Sequence, residues 1–168
     1  MAVVTLKSTL VTNMDATPPV RNNALFGDSA LHEAVATIVL TSGNSIASIY
    51  RMFRVWSGWR ISELLLFCDA ITTCDTDIGL YDTAANGGAV VDADFFASAQ
   101  ALTAAIVVGT NVLHESAVVP IENSAKRIWE QLALTADPGK WYDVALTLTA
   151  AAGSTGDVSM ICRWVDLS

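Results

Sequence analysis

Apolar and polar residues alternate with a period of two along much of the chain, most cleanly between residues 141 and 150. In this segment Tyr142, Val144, Leu146 and Leu148 are separated by more polar or smaller residues. Successive side chains of a β-strand point to opposite faces, so this pattern is typical of a strand with one buried face. We therefore predict a strand over residues 141–150 whose four apolar side chains point into a core.

Seven further segments carry strand-like patterns, and short turn-forming sequences separate them. The predicted strands cover 31–41, 46–56, 60–68, 77–83, 90–96, 111–119 and 157–165. In 46–56 strict alternation places Arg51 on the same face as Phe53 and Val55. The apolar run within 60–68 predicts a central strand. The Asn86-Gly87 pair predicts a tight turn, since both residue types tolerate positive φ.

One segment, residues 124–132, has helical spacing instead. Ile128, Trp129 and Leu132 would share a face, and Asn123 or Ser124 would cap the helix. Short strands separated by frequent turns, with one short helix, indicate an antiparallel β-sandwich or barrel. The Ala-rich stretch 97–110 gives no clear pattern.

The N-terminal residues 1–30 differ from the rest of the chain. They contain Pro18-Pro19 and show little periodicity, which excludes regular structure around the prolines. We predict an extended arm over 1–30 and a β-sandwich domain over 31–168. The apolar residues of the arm suggest that it docks on another chain; those singled out are Leu10, Met14, Val20 and Phe26. A terminus without fixed structure is the alternative.

The chain has few charged residues, and most of them are acidic. Charged residues make up 15% of the chain and the net charge is −8, against a typical charged share of about 25%. No Lys or Arg occurs between residues 61 and 125, which hold nine acidic residues. This balance argues against nucleic acid as a partner, because phosphates require clustered cations. The acidic stretch is either a solvated face or a patch that docks on a basic partner.

The composition also bears on the location of the protein. No apolar run approaches the length of about 20 residues that a membrane helix needs, and the first ten residues do not resemble a signal peptide. We therefore expect folding in the cytoplasm and no membrane partner. Hydrophobic residues make up 52% of the chain, which suggests that part of its surface is covered by another protein.

Residues that could carry chemistry are few and scattered. His32 and His114 each precede a glutamate, but they lack the further ligands of a metal site. The spaced aspartate pairs suit turn capping better than calcium binding or glycoside hydrolysis; they are Asp75 with Asp77 and Asp92 with Asp94. The three cysteines are expected to be free thiols, with Cys68 and Cys162 in the core. We predict no catalytic residues, no metal and no cofactor.

A cluster of aromatic and cationic residues flanks the predicted turn at Ser57-Gly58. Trp56 and Trp59 lie on either side of it, with Arg54 and Arg60 beside them. Trp and Arg are frequent anchors of protein interfaces. The same residues could bind sugars, or the two indoles could pack into the core and close one end of the sandwich. A partner interface at these four residues is therefore a hypothesis with two alternatives.

The sequence resembles virion proteins of tailed bacteriophages. The segments that carry the resemblance are SIASIYR (45–51), CDAITT (68–73), DIGLY (77–81), GGAVVDADFF (87–96), WE (129–130) with LTADP (134–138), and YDVALTLT (142–149). They cover most of residues 31–165 and are structural rather than catalytic. The resemblance implies a jelly-roll fold like that of the cement, or decoration, proteins found on the outside of phage capsids.

A specific role follows from that resemblance. It implies a non-enzymatic protein of the capsid exterior, assembled in the host cytoplasm, that ties neighbouring major capsid proteins together. A homo-oligomer is expected, with a dimer favoured because two-fold contacts are the commonest way to close an interface. Two alternatives stay open: another virion component, such as a tail or head-fibre base, and a carbohydrate-binding β-sandwich with Trp56 and Trp59 as its platform.

Overall fold

The computed structural model describes residues 16–18, 20 and 30–166. These residues form eight β-strands, one short helix and two 3₁₀ turns. The strands are β1 (Leu31–Leu40), β2 (Ile49–Trp56), β3 (Arg60–Cys68), β4 (Asp75–Asp82), β5 (Val90–Ala101), β6 (Ile106–Asn111), β7 (Trp141–Leu148) and β8 (Gly156–Val165). The helix α1 is Ile128–Gln131, and the 3₁₀ turns are Ala84–Asn86 and Ile121–Asn123. The predicted all-β class is confirmed.

Two four-stranded antiparallel sheets pack face to face. One has the order β1-β8-β3-β6 and the other β2-β7-β4-β5. Consecutive strands lie in different sheets, except for β4 and β5, which form a hairpin within the second sheet. This double-sheet, eight-stranded arrangement is the jelly roll. β3 is an inner strand of its sheet, as its apolar run predicted.

The core lies between the sheets and follows the predicted alternation. Tyr142, Val144, Leu146 and Leu148 are all buried, as expected from their spacing. On β8 the inward face carries Val158, Met160 and Cys162, which are buried as well. The prediction that one face of β7 fills the core is therefore confirmed, and β8 contributes its inward face in the same way.

The predicted faces of β2 are wrong because the strand contains a bulge. The pairing with β7 shifts between Arg51 and Phe53, so the strand carries one extra residue there and the alternation changes phase. Phe53 and Val55 are buried, whereas Arg51 and Arg54 are both exposed. The bulge thus brings two arginines three positions apart to the same outer face.

Two predictions between β6 and β7 also differ from the structure. The predicted strand 111–119 does not form: β6 ends at Asn111, whose side-chain oxygen accepts a hydrogen bond from the backbone of Leu113 at 3.1 Å. This side-chain bond favours a turn over a continued strand. The helix begins at Ile128 rather than near Ser124, because the Glu130 carboxylate accepts the Arg127 backbone N–H at 2.7 Å and closes a capping box.

The chain divides into two units between Ala30 and Leu31. The predicted arm, residues 1–30, falls in the first unit, and most of it, including Leu10, Met14 and Phe26, lies outside the described residues. Val20 is described and is exposed. In the part of the chain that the structure describes, no helix is long and apolar enough to cross a membrane.

Candidate partner interface

Four indole rings and one imidazole form a continuous row at one end of the sandwich. Neighbouring rings in the row have centroids 4.7–5.7 Å apart, and the order is Trp56, Trp141, Trp59, Trp164 and His32. The rings of Trp59 and Trp164 are stacked, as are those of Trp164 and His32, whereas the other two contacts are edge-to-face. Both geometries are favourable for aromatic pairs. We call this set the aromatic row.

The aromatic row links the two sheets. Trp56 and Trp141 belong to β2 and β7 of one sheet, and Trp164 and His32 belong to β8 and β1 of the other. Trp59 stands in the short connection from β2 to β3 and joins the two halves of the row. This end of the sandwich is therefore closed by side chains that come from both sheets.

The turn that carries Trp59 is held by hydrogen bonds of Ser57, a fully buried residue. Its hydroxyl donates to the Asp137 carboxylate at 2.5 Å, and its backbone N–H donates to the Lys140 carbonyl at 3.0 Å. The backbone N–H of Trp129 in α1 donates in turn to the Ser57 carbonyl at 3.1 Å. The helix and the loop before β7 therefore fix the position of the turn.

Of the four indoles, Trp141 offers the clearest surface for a partner, since 41% of its area is exposed. Trp56 and Trp59 are only half-exposed, and Trp59 also packs against the core. The stack with Trp164 covers one face of Trp59, which leaves it poorly suited to stack on a sugar ring. Sequence reasoning missed Trp141 as a site residue, although its place on the outward face of β7 was visible in the alternation.

Arg54 belongs to an ion-pair cluster on the outer face of the second sheet. Its Nε lies 2.9 Å from Oδ1 of Asp143, while Nη1 of Arg51 lies 2.8 Å from Oδ2 of the same carboxylate. Asp143 is 5% exposed, so both of its oxygens are used in a largely dry environment. Arg51 also donates to the carbonyls of Asp82 and Gly88 at 2.8 and 2.9 Å. The more exposed Arg54 is the member of this cluster that a partner can reach.

Arg60, by contrast, is turned toward the protein. Its Nη1 donates to the Ser124 carbonyl at 3.3 Å, and its Nε is buried without a hydrogen-bond partner among the described residues. Desolvation by burial lowers the pKa of this guanidinium. The Arg60 side chain therefore links β3 to the segment before α1 from inside the protein.

The two histidines and Asp77 make separate local contacts. His114 Nδ1 lies 2.6 Å from the Val119 carbonyl, and His32 is part of the aromatic row. Asp77 accepts the Ala99 backbone N–H at 2.7 Å. Among residues 16–18, 20 and 30–166, no three His, Cys, Asp or Glu side chains are arranged to hold a metal.

The three cysteines are free and buried. Burial raises the pKa of the Cys162 thiol to about 12. It also raises the pKa of both other thiols, Cys68 and Cys74. Thiolates are the reactive form of cysteine, so all three side chains act as small apolar core residues.

A cleft of about 620 Å³ lies between β5 and the segment that follows α1. Lys140 and Asp82 form an ion pair of 2.6 Å in its wall. Asp92, also in the wall, has its pKa raised by desolvation and by a hydrogen bond with Asp94. Partly exposed apolar side chains complete the cleft, among them Val118 and Leu134.

The opposite end of the sandwich has a different chemistry. Its four loops, 41–48, 69–74, 102–105 and 149–155, contain no Lys or Arg and a single charged residue, Asp69. Ile46 and Ile49 are exposed beside β1 at this end, and Val107 and Val108 are exposed on β6. The sandwich thus has one end rich in aromatic and cationic side chains and one that is apolar and free of cations.

Comparison with solved structures finds the same fold in two phage capsids. A chain in "Capsid of Ralstonia phage GP4" superposes with a TM-score of 0.56 and 15% sequence identity, over 84% of this chain and 88% of that chain. A chain in "Cyanophage Pam1 capsid asymmetric unit" superposes with a TM-score of 0.50 and 15% identity, over 83% and 86%. The shared feature is the fold. No protein-family model matches the sequence, and no curated protein matches it significantly.

Proposed function

We propose that this chain is a structural virion protein that decorates the exterior of a phage capsid and bridges neighbouring major capsid proteins. The observation that carries the proposal is the likeness to chains from two phage capsids, which extends over more than four fifths of each chain. A match of that extent supports a shared overall fold rather than a shared local motif. The protein would assemble onto the capsid in the host cytoplasm.

The chemistry of the two ends supports a bridging role. A bridge needs two contact surfaces, and the sandwich offers two that differ in chemistry. At the aromatic row, Trp141, Trp56 and Arg54 supply the residue types that dominate interface energetics. At the other end, Ile46 and Ile49 supply apolar surface beside loops without cations. Such a surface suits a partner that is apolar with a basic rim.

Within the predicted interface, the four residues that belong to the sandwich divide into two groups. Arg54 and Trp56 are the proposed contact residues, with Trp141 added from the structure. Trp59 and Arg60 support them from inside, through the aromatic row and through the bond to Ser124. Changing either supporting residue would weaken a partner contact only by disturbing this end of the sandwich.

The N-terminal arm supplies the third element of the proposal. Its residues Leu10, Met14, Val20 and Phe26 would tie the sandwich to a capsid subunit or to a second copy. An extended segment covers up to about 3.3 Å per residue, so an arm of this length could cross a subunit boundary. The apolar content of the arm supports docking, because solvated tails are usually poorer in such residues.

Co-sedimentation with expanded capsids of the corresponding phage, stripped of the protein, tests the proposal. The full chain is expected to co-sediment, and imaging of the decorated particles should place it on the outer surface. Deletion of residues 2–30 should leave the sandwich folded but weaken retention. A full chain that stays in the supernatant contradicts the capsid role, whereas a truncated chain that is retained equally well contradicts only the role of the arm.

A pair of charge-matched variants tests the contact surface. Arg54→Ala removes an exposed guanidinium, and Asp143 keeps its bond to Arg51. Lys126→Ala removes the charge of another exposed side chain on the α1 side and serves as the control. The proposal expects weaker capsid binding for Arg54→Ala than for Lys126→Ala. Equal binding of both variants and the wild type would remove Arg54 from the interface.

A further inference from the structure

Among the described residues, β1 is an edge strand of its sheet. Over Leu31–Leu40 it pairs with β8 through ten consecutive residue pairs, without the register shifts found in the β3–β8 and β3–β6 ladders of the same sheet. Within the described residues no strand pairs with its other edge. A regular, ten-residue edge presents a row of backbone donors and acceptors that another strand can use.

The sequence of β1 carries little of the usual protection of such an edge, since its one acidic residue, Glu33, is held in an ion pair with Arg163 of β8. Natural edge strands commonly carry lysine, proline or a bulge, which prevents pairing with another chain. Leu31–Leu40 contains no lysine and no proline, and its ladder with β8 has no bulge. Instead its outward face exposes Leu31, Val35 and Val39, which are 58%, 63% and 56% exposed.

The order of residues along β1 is complementary to itself. In an antiparallel pair centred on Val35, Leu31 lies opposite Val39 of the second strand and Glu33 lies opposite Thr37. The two Val35 side chains then meet on the two-fold axis. The opposite face matches equally well, because His32 meets Ile38 and Ala34 meets Ala36. No like charges face each other in this register, and cross-strand apolar pairs are stabilising.

The two neighbouring registers that keep the same faces together fit less well. The register centred on Ala36 sets the Glu33 carboxylate opposite the Val39 side chain at both ends of the pair, and the register centred on Ala34 sets the same carboxylate opposite Val35. A shift by a single residue would instead place the outward side chains of one strand opposite the inward side chains of the other. The pattern of β1 therefore selects one pairing.

We propose that β1 pairs with β1 of a second copy of this chain, antiparallel and in the register centred on Val35. The pairing joins two four-stranded sheets into one eight-stranded sheet with a two-fold axis through its middle. Such a contact is isologous, since each strand uses the same residues as its partner. The inference goes beyond the proposed function: it specifies the two-fold contact of the homo-oligomer expected from the sequence, concerns the free protein and is tested without capsids.

Charge substitution at the axis gives the first test. Val35→Lys and Val35→Glu each place two like charges side by side across the two-fold axis, so each variant should have the mass of one chain, 17.8 kDa, in sedimentation or light-scattering measurements. The wild type should have twice that mass, and an equimolar mixture of the two variants should recover it. Val107→Lys, at an exposed position on the other edge of the sheet, should remain dimeric.

Cross-linking tests the register. The three native cysteines are buried, so Val35→Cys adds the only accessible thiol of the described residues. Paired residues of antiparallel strands have Cα atoms about 4.5–5.5 Å apart, within the range that a disulfide spans. Val35→Cys is expected to form a covalent dimer on mild oxidation, and Ser62→Cys, an exposed residue of β3, is expected not to.

Three results would overturn the inference. They are a monomeric wild type across a dilution series, a dimer that persists in both charged variants, and the absence of cross-linking at residue 35. A monomeric wild type that still binds capsids would refute the β1 pairing alone. A dimer that does not bind capsids would refute the capsid role alone.

Discussion

Replacing Leu146 with alanine should destabilise the sandwich by about 3–4 kcal/mol, within the range of roughly 2–5 kcal/mol typical of buried leucines. The side chain is completely buried on β7, an inner strand, and its cross-strand partners are Tyr50 on β2 and Ile78 on β4. The change removes three carbon atoms, which is about 2.4 kcal/mol of transfer free energy at roughly 0.8 kcal/mol each. The cavity adds the remainder, because hydrogen-bonded strands on both sides prevent the walls from closing in.

Denaturant unfolding followed by tryptophan fluorescence measures this loss. The transition midpoint should fall while its slope stays unchanged, since the two-state unfolding exposes nearly the same surface. The matched control is Leu134→Ala, in which the same atoms are removed from a side chain that is 41% exposed. It should cost less than about 1 kcal/mol. If Leu146→Ala costs no more than Leu134→Ala, the packing argument for β7 is refuted.

Three further predictions concern the ion-pair cluster, a close contact and a thiol. Asp143→Ala should destabilise the folded protein by about 1–3 kcal/mol, because it leaves two guanidiniums without their buried carboxylate. Arg54→Ala should destabilise it by less than about 1 kcal/mol. Thermal unfolding should show the larger loss of stability for Asp143→Ala. Gly79→Ala should sharply reduce the yield of folded protein in a solubility assay, because the added Cβ would stand 2.1 Å from the Asp92 carbonyl oxygen; normal folding would contradict this. Cys162 should react with a thiol reagent only after unfolding. The pKa of Cys162 is raised to about 12 in the folded protein, from an unfolded value near ~8.5. The contribution of this thiol to stability should therefore be complete below pH ~8.5 and should decline as the pH rises toward about 12. Cys162→Ala should make this decline in stability smaller.

The strands with regular alternation were predictable from the sequence. β7 and β3 appear close to their predicted limits, because each has an apolar pattern that only one arrangement of faces can bury. β2 was predicted as a strand but with the wrong faces, since its bulge depends on how it pairs with β7. The strand predicted over 111–119 is wrong for a related reason: Val112, Leu113 and Val119 are buried, but they enter the core from a loop whose turn is fixed by Asn111.

The candidate interface was predictable only in part. The pairing of Trp and Arg around the Ser57-Gly58 turn identified the end of the sandwich that carries the aromatic row. The sequence alone does not separate Arg54, whose side chain remains accessible, from Arg60, whose side chain turns inward to Ser124. That difference depends on the segment before α1, which is more than 60 residues away along the chain. Trp141 completes the row for the same reason, because its partners come from other strands.

The place of β8 in its sheet affects how the chain folds during synthesis. β8 lies between β1 and β3 and pairs with both, yet it is made after every other described strand. Until residues 156–165 leave the ribosome, β1 and β3 have no common neighbour and their apolar faces stay open. The sheet therefore closes only after its final strand is available, through contacts between residues as far apart as Leu31 and Val165. Long-range pairing of this kind slows folding and exposes the unpaired edges of both β1 and β3 in the meantime.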